Sequence, residues 1–385
     1  MCRGIPARRY PLMKNILFIF GTRPEAIKMS PLISRFREDP GSWNVAVCVT
    51  AQHRQMLDQV LDFFQIGVDY DLDLMTAGQS LTQLTARCLV ALEHPLTDFK
   101  PDLVFVQGDT TTVLTGALAS FYQHVPVAHI EAGLRSGNRY SPFPEELNRV
   151  LAGRLAEYHF APTSAAVESL AAEGIRENVW MVGNTVIDAL QDALGILQKG
   201  EGSLKRHFPF LDEGRKLILV TGHRRESFGE PFENICGALA DIATAHEDVQ
   251  IVYPVHLNPN VQEPVRRLLA GHDNVYLIEP LDYARLVWLM SKTWLVLTDS
   301  GGIQEEAPSL GVPVLVMRDV TERMEGVEAG TAKLVGTDRQ TIVREALQLI
   351  EDENAHAAMA NAVNPYGDGT TARQIVEIMK DILNP

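Results

Sequence analysis

The stretch Leu297-Thr-Asp-Ser-Gly-Gly-Ile-Gln-Glu-Glu306, continued by Ala307-Pro-Ser-Leu-Gly-Val-Pro-Val-Leu-Val316, decides the fold. Ahead of it, Trp294-Leu-Val-Leu-Thr298 is a short apolar run of strand formers. Behind the glycines, Ile303, Ala307 and Leu310 recur at helical spacing. Ser300-Gly301-Gly302 therefore sits where a strand ends and a helix begins, and the glycines let a ligand approach the backbone. A helix start presents unpaired N–H groups and a positive dipole end, which suits a phosphate. Glu306, four residues past Gly302, is placed to accept hydrogen bonds from a ribose diol. A nucleoside diphosphate at the carboxyl edge of a parallel sheet fits this pattern. A plain strand–turn–helix corner fits it as well, because short Gly motifs recur often.

Outward from this corner, apolar strands alternate with amphipathic helical segments along the whole chain. Strands are expected at Asn15–Phe20, Val45–Thr50, Leu103–Gln107, Val127–Glu131, Tyr158–Ala161 and Val179–Val182, with helical stretches such as Met56–Phe64, Leu81–Glu93 and Thr112–Phe121 between them. A second series follows at Lys216–Thr221, Gln250–Pro254, Val275–Ile278, Trp294–Thr298 and Val314–Met317. This is the signature of α/β domains with doubly wound, mostly parallel sheets. The polar stretch from about 190 to 213 reads as a linker. The expected layout is an extension over 1–12, a first domain over 13–190, a second over 191–370, and a C-terminal helix over 371–385 that could pack back on the first. The cleft between two such domains is the default ligand site. No G-x-G-x-x-G follows any strand, which argues against a nicotinamide or flavin fingerprint.

Composition narrows the classes. With 385 residues the chain is long for one core, and two domains are the natural expectation. Lys and Arg number 34 against 49 Asp and Glu, a formal net charge of −15. Such a chain is a poor non-specific nucleic-acid binder, so an anionic substrate must be met by locally placed cations. Cys2, Cys48, Cys88 and Cys236 show no C-x-x-C pairing and read as reduced thiols, with neither a zinc site nor a disulfide framework. No apolar run is long enough for a membrane span, and the basic first dozen residues lack the apolar core of a secretory signal. A cytoplasmic protein is expected.

Ligands of doubly wound sheets bind where strands end, and here the strand ends are polar. The first is followed by Gly21-Thr-Arg-Pro-Glu-Ala-Ile-Lys28, in which Arg23 and Lys28 make an anion site. The second leads into Thr50-Ala-Gln-His-Arg-Gln-Met56, and the third into Gln107-Gly-Asp-Thr-Thr-Thr112, where Asp109 has a competing role as helix N-cap. The fourth ends in His129-Ile-Glu-Ala-Gly-Leu-Arg135, whose Glu131 needs a partner if buried. An aromatic, Pro-rich loop then carries Glu145. In the second half, His223, Arg224 and Arg225 follow one strand and His256 the next. Each signal is weak singly; in aggregate they point to a ligand lined from both halves.

These motifs, with Thr221-Gly-His-Arg-Arg-Glu226, Asp299-Ser-Gly-Gly-Ile-Gln-Glu-Glu306 and Asn364-Pro-Tyr-Gly-Asp-Gly369, resemble the bacterial non-hydrolysing UDP-N-acetylglucosamine 2-epimerases from about Met13 to the C-terminal helix. The resemblance implies a glycosyltransferase-B-like fold of two Rossmann-like domains with an interdomain cleft, usually as a homodimer. It implies interconversion of UDP-N-acetylglucosamine and UDP-N-acetylmannosamine with no metal or redox cofactor, the product feeding cell-surface polysaccharide synthesis. Asp109, Glu131, Glu145 and His223 would then do the acid–base work. Arg23, Lys28, Arg135, Ser300, Gly301, Gly302, Glu306 and Arg323 would bind the UDP and sugar. Gln52, His53, Gln55, Arg87, Arg224 and His256 match a second UDP-N-acetylglucosamine site that activates allosterically, and Gln52-His-Arg-Gln55 favours the non-hydrolysing branch over the hydrolysing one.

Rival readings stay open on sequence alone. The nearest is a 2-epimerase of another UDP-acetamido sugar, such as a diacetamido uronic acid. A glycosyltransferase of the same fold would need an acceptor site, and no apolar or basic patch for a lipid carrier stands out. A nucleotide-sugar-binding regulator would leave the crowd of carboxylates unexplained.

Overall fold

The computed structural model describes residues 13–51, 54–76, 78–224 and 227–383. They form two compact units, one running to Ala189 and resuming at Gly369, the other spanning Leu190–Asp368. The first unit holds a seven-stranded sheet: β1 (Lys14–Phe20), β2 (Trp43–Val49), β3 (Tyr70–Asp71), β4 (Leu103–Gln107), β5 (Val127–Ile130), β6 (Tyr158–Ala161) and β7 (Val179–Met181). Their order is β3-β2-β1-β4-β5-β6-β7, and every pair is parallel. The second unit holds β8 (Lys216–Thr221), β9 (Val249–Pro254), β10 (Val275–Ile278), β11 (Leu295–Thr298), β12 (Val314–Val316) and β13 (Ala332–Leu334). These run β10-β9-β8-β11-β12-β13, again all parallel. Both orders are the doubly wound one, with a single reversal between the first strand and the fourth.

The central strands are apolar along their whole length because helices cover both faces of each sheet. Leu17, Ile19, Val104 and Val106 pack with Val113 and Ala117 on one side of the first sheet. Phe18 stacks on Phe105, centroids 5.0 Å apart, and Phe36 meets both rings on the other. In the second unit Ile218, Val220, Ile251, Leu295 and Leu297 meet Ile235, Leu239 and Ile242 of the helix Glu230–Ala245.

The structure departs from the sequence reading in two places. Where a linker was expected from about 190 to 213, a helix runs over Thr185–Gln198 and a short one over Glu201–Lys205. Val186, Ile187, Leu190, Ala193 and Leu197 fall at helical spacing and are buried, which holds the chain helical across the border of the two units. Two edge strands, β3 and β13, were not anticipated. Among the described residues no helix is long and apolar enough to cross a membrane.

Candidate active site

The first unit reverses its strand order between β1 and β4, the second between β8 and β11. Loops on the two sides of such a point leave the sheet in opposite directions and open a crevice at its carboxyl edge. In both units a buried carboxylate ties those two loops together.

In the first unit it is Glu25. Thr22 and Glu25 form a capping box at the start of the helix Arg23–Arg37. The Gly21 and Thr22 N–H groups donate to Glu25 Oε2 at 3.0 and 2.7 Å, and the Thr110 hydroxyl, from the loop after β4, donates to Oε1 at 2.7 Å. Burial pushes the Glu25 carboxyl above the usual range, and these donors oppose that. A Cβ on Gly21 would lie 2.1 Å from Thr50 Oγ1 and 2.6 Å from Thr112 Oγ1, so only glycine passes here. Arg23 sits half-buried in the first turn of that helix.

Glu131 follows β5 in a left-handed conformation, φ 63°, that residues other than glycine rarely adopt. Its carboxylate is nearly buried, at 9% exposure. Lys28 Nζ donates to its two oxygens at 2.8 and 2.7 Å, and the Gln107 amide donates to Oε2. Such partners are what a desolvated carboxylate requires. Lys28, expected on a phosphate, is thus engaged with Glu131.

Asp109 follows β4. The N-cap of the next helix is Thr110, whose hydroxyl accepts from the Val113 N–H, so Asp109 does not serve as the cap. Its carboxylate is 31% exposed and pairs with Arg149. Its carbonyl accepts from Asn148 Nδ2 at 2.9 Å. Asn148 and Arg149 both belong to the helix Glu145–Leu155, in whose first turn Glu145 stands half-buried. Arg149 also lies 3.5 Å from Glu146, whose buried carboxylate accepts from the Ser136 and Gly137 N–H groups at 3.0 Å each. That helix therefore grips the Asp109 turn and the loop after β5 together. Arg135 is committed to Glu173 through a bidentate pair at 2.6 and 3.0 Å, and to the Leu134 carbonyl. This pair holds the Glu173 carboxyl below its ordinary range.

In the second unit the tie is Asp299. Its Oδ2 accepts the N–H groups of His223 at 2.6 Å and Arg224 at 2.7 Å, joining the turn after β8 to the end of β11. The His223 ring stacks on that of His256, centroids 5.0 Å apart and planes within 3°. Ser300 stands at the N-cap position of the short helix Gly301–Glu306, its side chain making no capping hydrogen bond there. Arg323 Nε donates to Glu305 at 2.8 Å, and its guanidinium lies against Gly301, where a Cβ would come within 3.3 Å of Cζ. Glu306 is buried and accepts from the Tyr283 hydroxyl at 3.2 Å. Burial and the Glu306 charge push the Tyr283 phenol far above its usual range. Ser300, Gly301, Gly302, Glu306 and Arg323 are thus gathered at one corner.

Of the residues matched to a second nucleotide-sugar site, Gln55 is exposed at the start of the helix Arg54–Phe63. Arg87 donates to the Leu74 carbonyl and the Gln79 side chain. Gln52 and His53 lie outside the described residues, as do Arg225, Glu226 and the extension 1–12.

A family model described as UDP-N-acetylglucosamine 2-epimerase matches residues 35–380. The chain belongs to the UDP-N-acetylglucosamine 2-epimerase family. An Escherichia coli K12 protein of that name is 58% identical over 371 residues, covering 95% of this chain and 98% of its own. The Neisseria meningitidis UDP-GlcNAc 2-epimerase, solved bound to UDP-GlcNAc, superposes with a TM-score of 0.88 at 49% identity, covering 95% of this chain and all of that one. A Staphylococcus aureus protein solved in complex with UDP gives 0.84 at 45% identity, with 97% of each chain covered. The protein is an isomerase, and its two doubly wound units have the glycosyltransferase-B-like architecture of these epimerases.

Sequence reading passed over Glu25, Gln107, Glu146, Asn148, Arg149, Tyr283 and Asp299. Two signals were available for some of them. Thr22-x-x-Glu25 is a capping-box pattern, and Glu145, Asn148 and Arg149 share one helical face by their spacing.

Proposed function

We propose that the protein interconverts UDP-N-acetylglucosamine and UDP-N-acetylmannosamine without hydrolysing them. The C2 hydrogen of the sugar is not adjacent to a carbonyl, so simple deprotonation and return is closed. In the proposed route a carboxylate takes the C2 proton while the C1–O bond breaks and UDP leaves with the electron pair, giving 2-acetamidoglucal. UDP then adds back to C1, and a second acid delivers a proton to the other face of C2. The observation that carries this reading is the pairing of two unlike carboxylates at adjacent strand ends. Glu131 is buried on Lys28 and Gln107, while Asp109 is partly exposed on Arg149. Unlike environments suit groups with different acid–base tasks, and positioned groups of this kind contribute about 10²–10⁴-fold.

Glu145 and His223 assist the proton transfers in this assignment. The backbone of Ser300, Gly301 and Gly302 with Arg23 and Arg323 receives the diphosphate, Glu306 the ribose, and Arg135 steadies the sugar-side loop. Neutralising the charge that develops on the departing diphosphate is worth on the order of 10²–10³-fold per donor. A second molecule of UDP-N-acetylglucosamine bound by Gln52, His53, Gln55, Arg87, Arg224 and His256 activates the enzyme. The working form is a cytoplasmic homodimer that supplies cell-surface polysaccharide synthesis.

Incubation with UDP-N-acetylglucosamine in D₂O, followed by NMR, tests the route. The expected product is UDP-N-acetylmannosamine carrying deuterium at C2, with deuterium also entering the starting sugar. Free N-acetylmannosamine with stoichiometric UDP would transfer the protein to the hydrolysing branch, and retention of the C2 proton in the product would overturn elimination.

A further inference from the structure

His129 lies in β5 with 1% of its surface exposed, and it touches neither of the proposed acid–base carboxylates by hydrogen bond. Its Nε2 is 2.7 Å from the carbonyl oxygen of Gly108. A carbonyl can only accept, so Nε2 carries the proton. Nδ1 is buried with no hydrogen-bond partner, which leaves it bare and the ring neutral.

Gly108 is the hinge of the turn that ends in Asp109. Its φ of 79° is in the left-handed region, and a glycine there is free to swing its following peptide plane. The structure stops that swing from both sides of the Cα. The Gly108 N–H donates to the Ile130 carbonyl at 3.0 Å, and the Gly108 carbonyl accepts from His129. The Gly108–Asp109 peptide is the one that sets the direction of the Asp109 side chain. Glu131 leaves the same segment two residues after His129.

We propose that His129 is a positioning residue for the epimerisation: its Nε2–H locks the Gly108–Asp109 peptide to β5 and so fixes the Asp109 carboxylate relative to Glu131. This rests on Asp109 and Glu131 being the acid–base pair. The groups that bear on the ring are the Arg135 and Arg149 guanidiniums and the neighbouring His159, which oppose a charge on it, and Glu131, which favours one.

Two measurements on the full-length protein test it. The first is ¹⁵N NMR of the histidine rings, with His129 assigned by difference from a variant. The expected spectrum has Nε2 protonated and Nδ1 bare from pH 8 to 5. An Nδ1–H tautomer, or titration near the ordinary histidine value, overturns the proposal. The second is steady-state kinetics. A misaimed catalytic group costs up to about 10²-fold, so His129→Leu should lower kcat by roughly 10–100-fold while KM changes about twofold or less. His129→Gln, whose amide nitrogen can reach the same carbonyl, should restore most of kcat. Equal losses in the two variants, or wild-type kcat in both, would sink the positioning role; if the Leu variant does not fold, the Gln variant and the NMR spectrum decide. Asp109→Asn separates this from the underlying reading. An inactive Asp109→Asn beside a fully active His129→Leu removes His129 alone, and an active Asp109→Asn removes the acid–base assignment beneath it.

Discussion

His129 and His159 are register neighbours in β5 and β6, both buried, and burial holds each ring at a pKa of about 4. The unfolded chain takes up these protons near 6.5 and the folded one only near 4, so the folded pKa is the depressed one. Stability from this source is therefore complete above about pH 6.5 and is lost as pH falls toward 4. A gap of this size is worth about 3 kcal/mol for one ring. The two cannot simply add, because the first charge would disfavour the second. Urea unfolding at pH 7 and pH 5 should show the loss, and His159→Gln should flatten it; an unchanged slope in that variant would refute the account. The sequence shows these residues without showing this. The carboxylates Asp109 and Glu131 stand out because they follow apolar strand ends, and Glu145 because it lies in the aromatic, Pro-rich loop beyond them. Their pairings do not, since Lys28, legible only as a cation of an anion site, meets Glu131 across 103 positions and Arg149 meets Asp109 across 40. Pairings at such separations exist only once the sheet order is fixed.

At the scale of elements, the interior strands of both sheets were readable because burial on both faces makes them unbroken apolar runs. The missed strands, β3 and β13, are edges, the first two residues long and polar, the second Ala-Lys-Leu with no β-branched residue. A glycine in the loop after β5 shows how elements hold the site. Gly133 has φ 91°, and a Cβ there would come within 2.2 Å of the Ala166 carbonyl oxygen in the helix Ser164–Ala172. Gly137, further along the same loop, has φ 74° and open space around it. Gly137→Ala should cost only the backbone strain, about 1–2 kcal/mol. Gly133→Ala adds a backbone clash and should cost about 3 kcal/mol or more. It should also lower kcat, because the strain falls two residues from Glu131. Denaturant midpoints of the two variants check the ranking, and equal midpoints would mean that the helix gives way freely.

The two sheets share one strand order and one device, a buried carboxylate stapling the loops across the order reversal, although no internal repeat is visible in the sequence. What the fold imposes is the crevice, and the residues that fill it are free to differ: Glu25 in one unit, Asp299 in the other. The chain then crosses back once at its end, since the first unit is completed by the helix Thr371–Leu383. Ala372, Ile375 and Met379 are buried on one face of that helix, which packs against the helix Arg23–Arg37. The Ala372 N–H donates to Asp188 Oδ1 and the Thr371 hydroxyl to the Val182 carbonyl, each at 2.9 Å. Lys380 reaches Asp39 at 2.9 Å, but that pair is exposed and contributes little. Burial of the Ile and Met side chains alone is worth about 3–6 kcal/mol. The second unit ends at Asp368, whose carbonyl accepts from Gln191 of the same unit. A chain terminated after Asp368 should therefore lose stability in the first unit only. Hydrogen exchange reads the two separately: amides of β1 and β4 should exchange faster in the shortened chain, and those of β8 and β11 should keep their protection. Equal loss in both sheets would show that the last helix supports the molecule as one cooperative body.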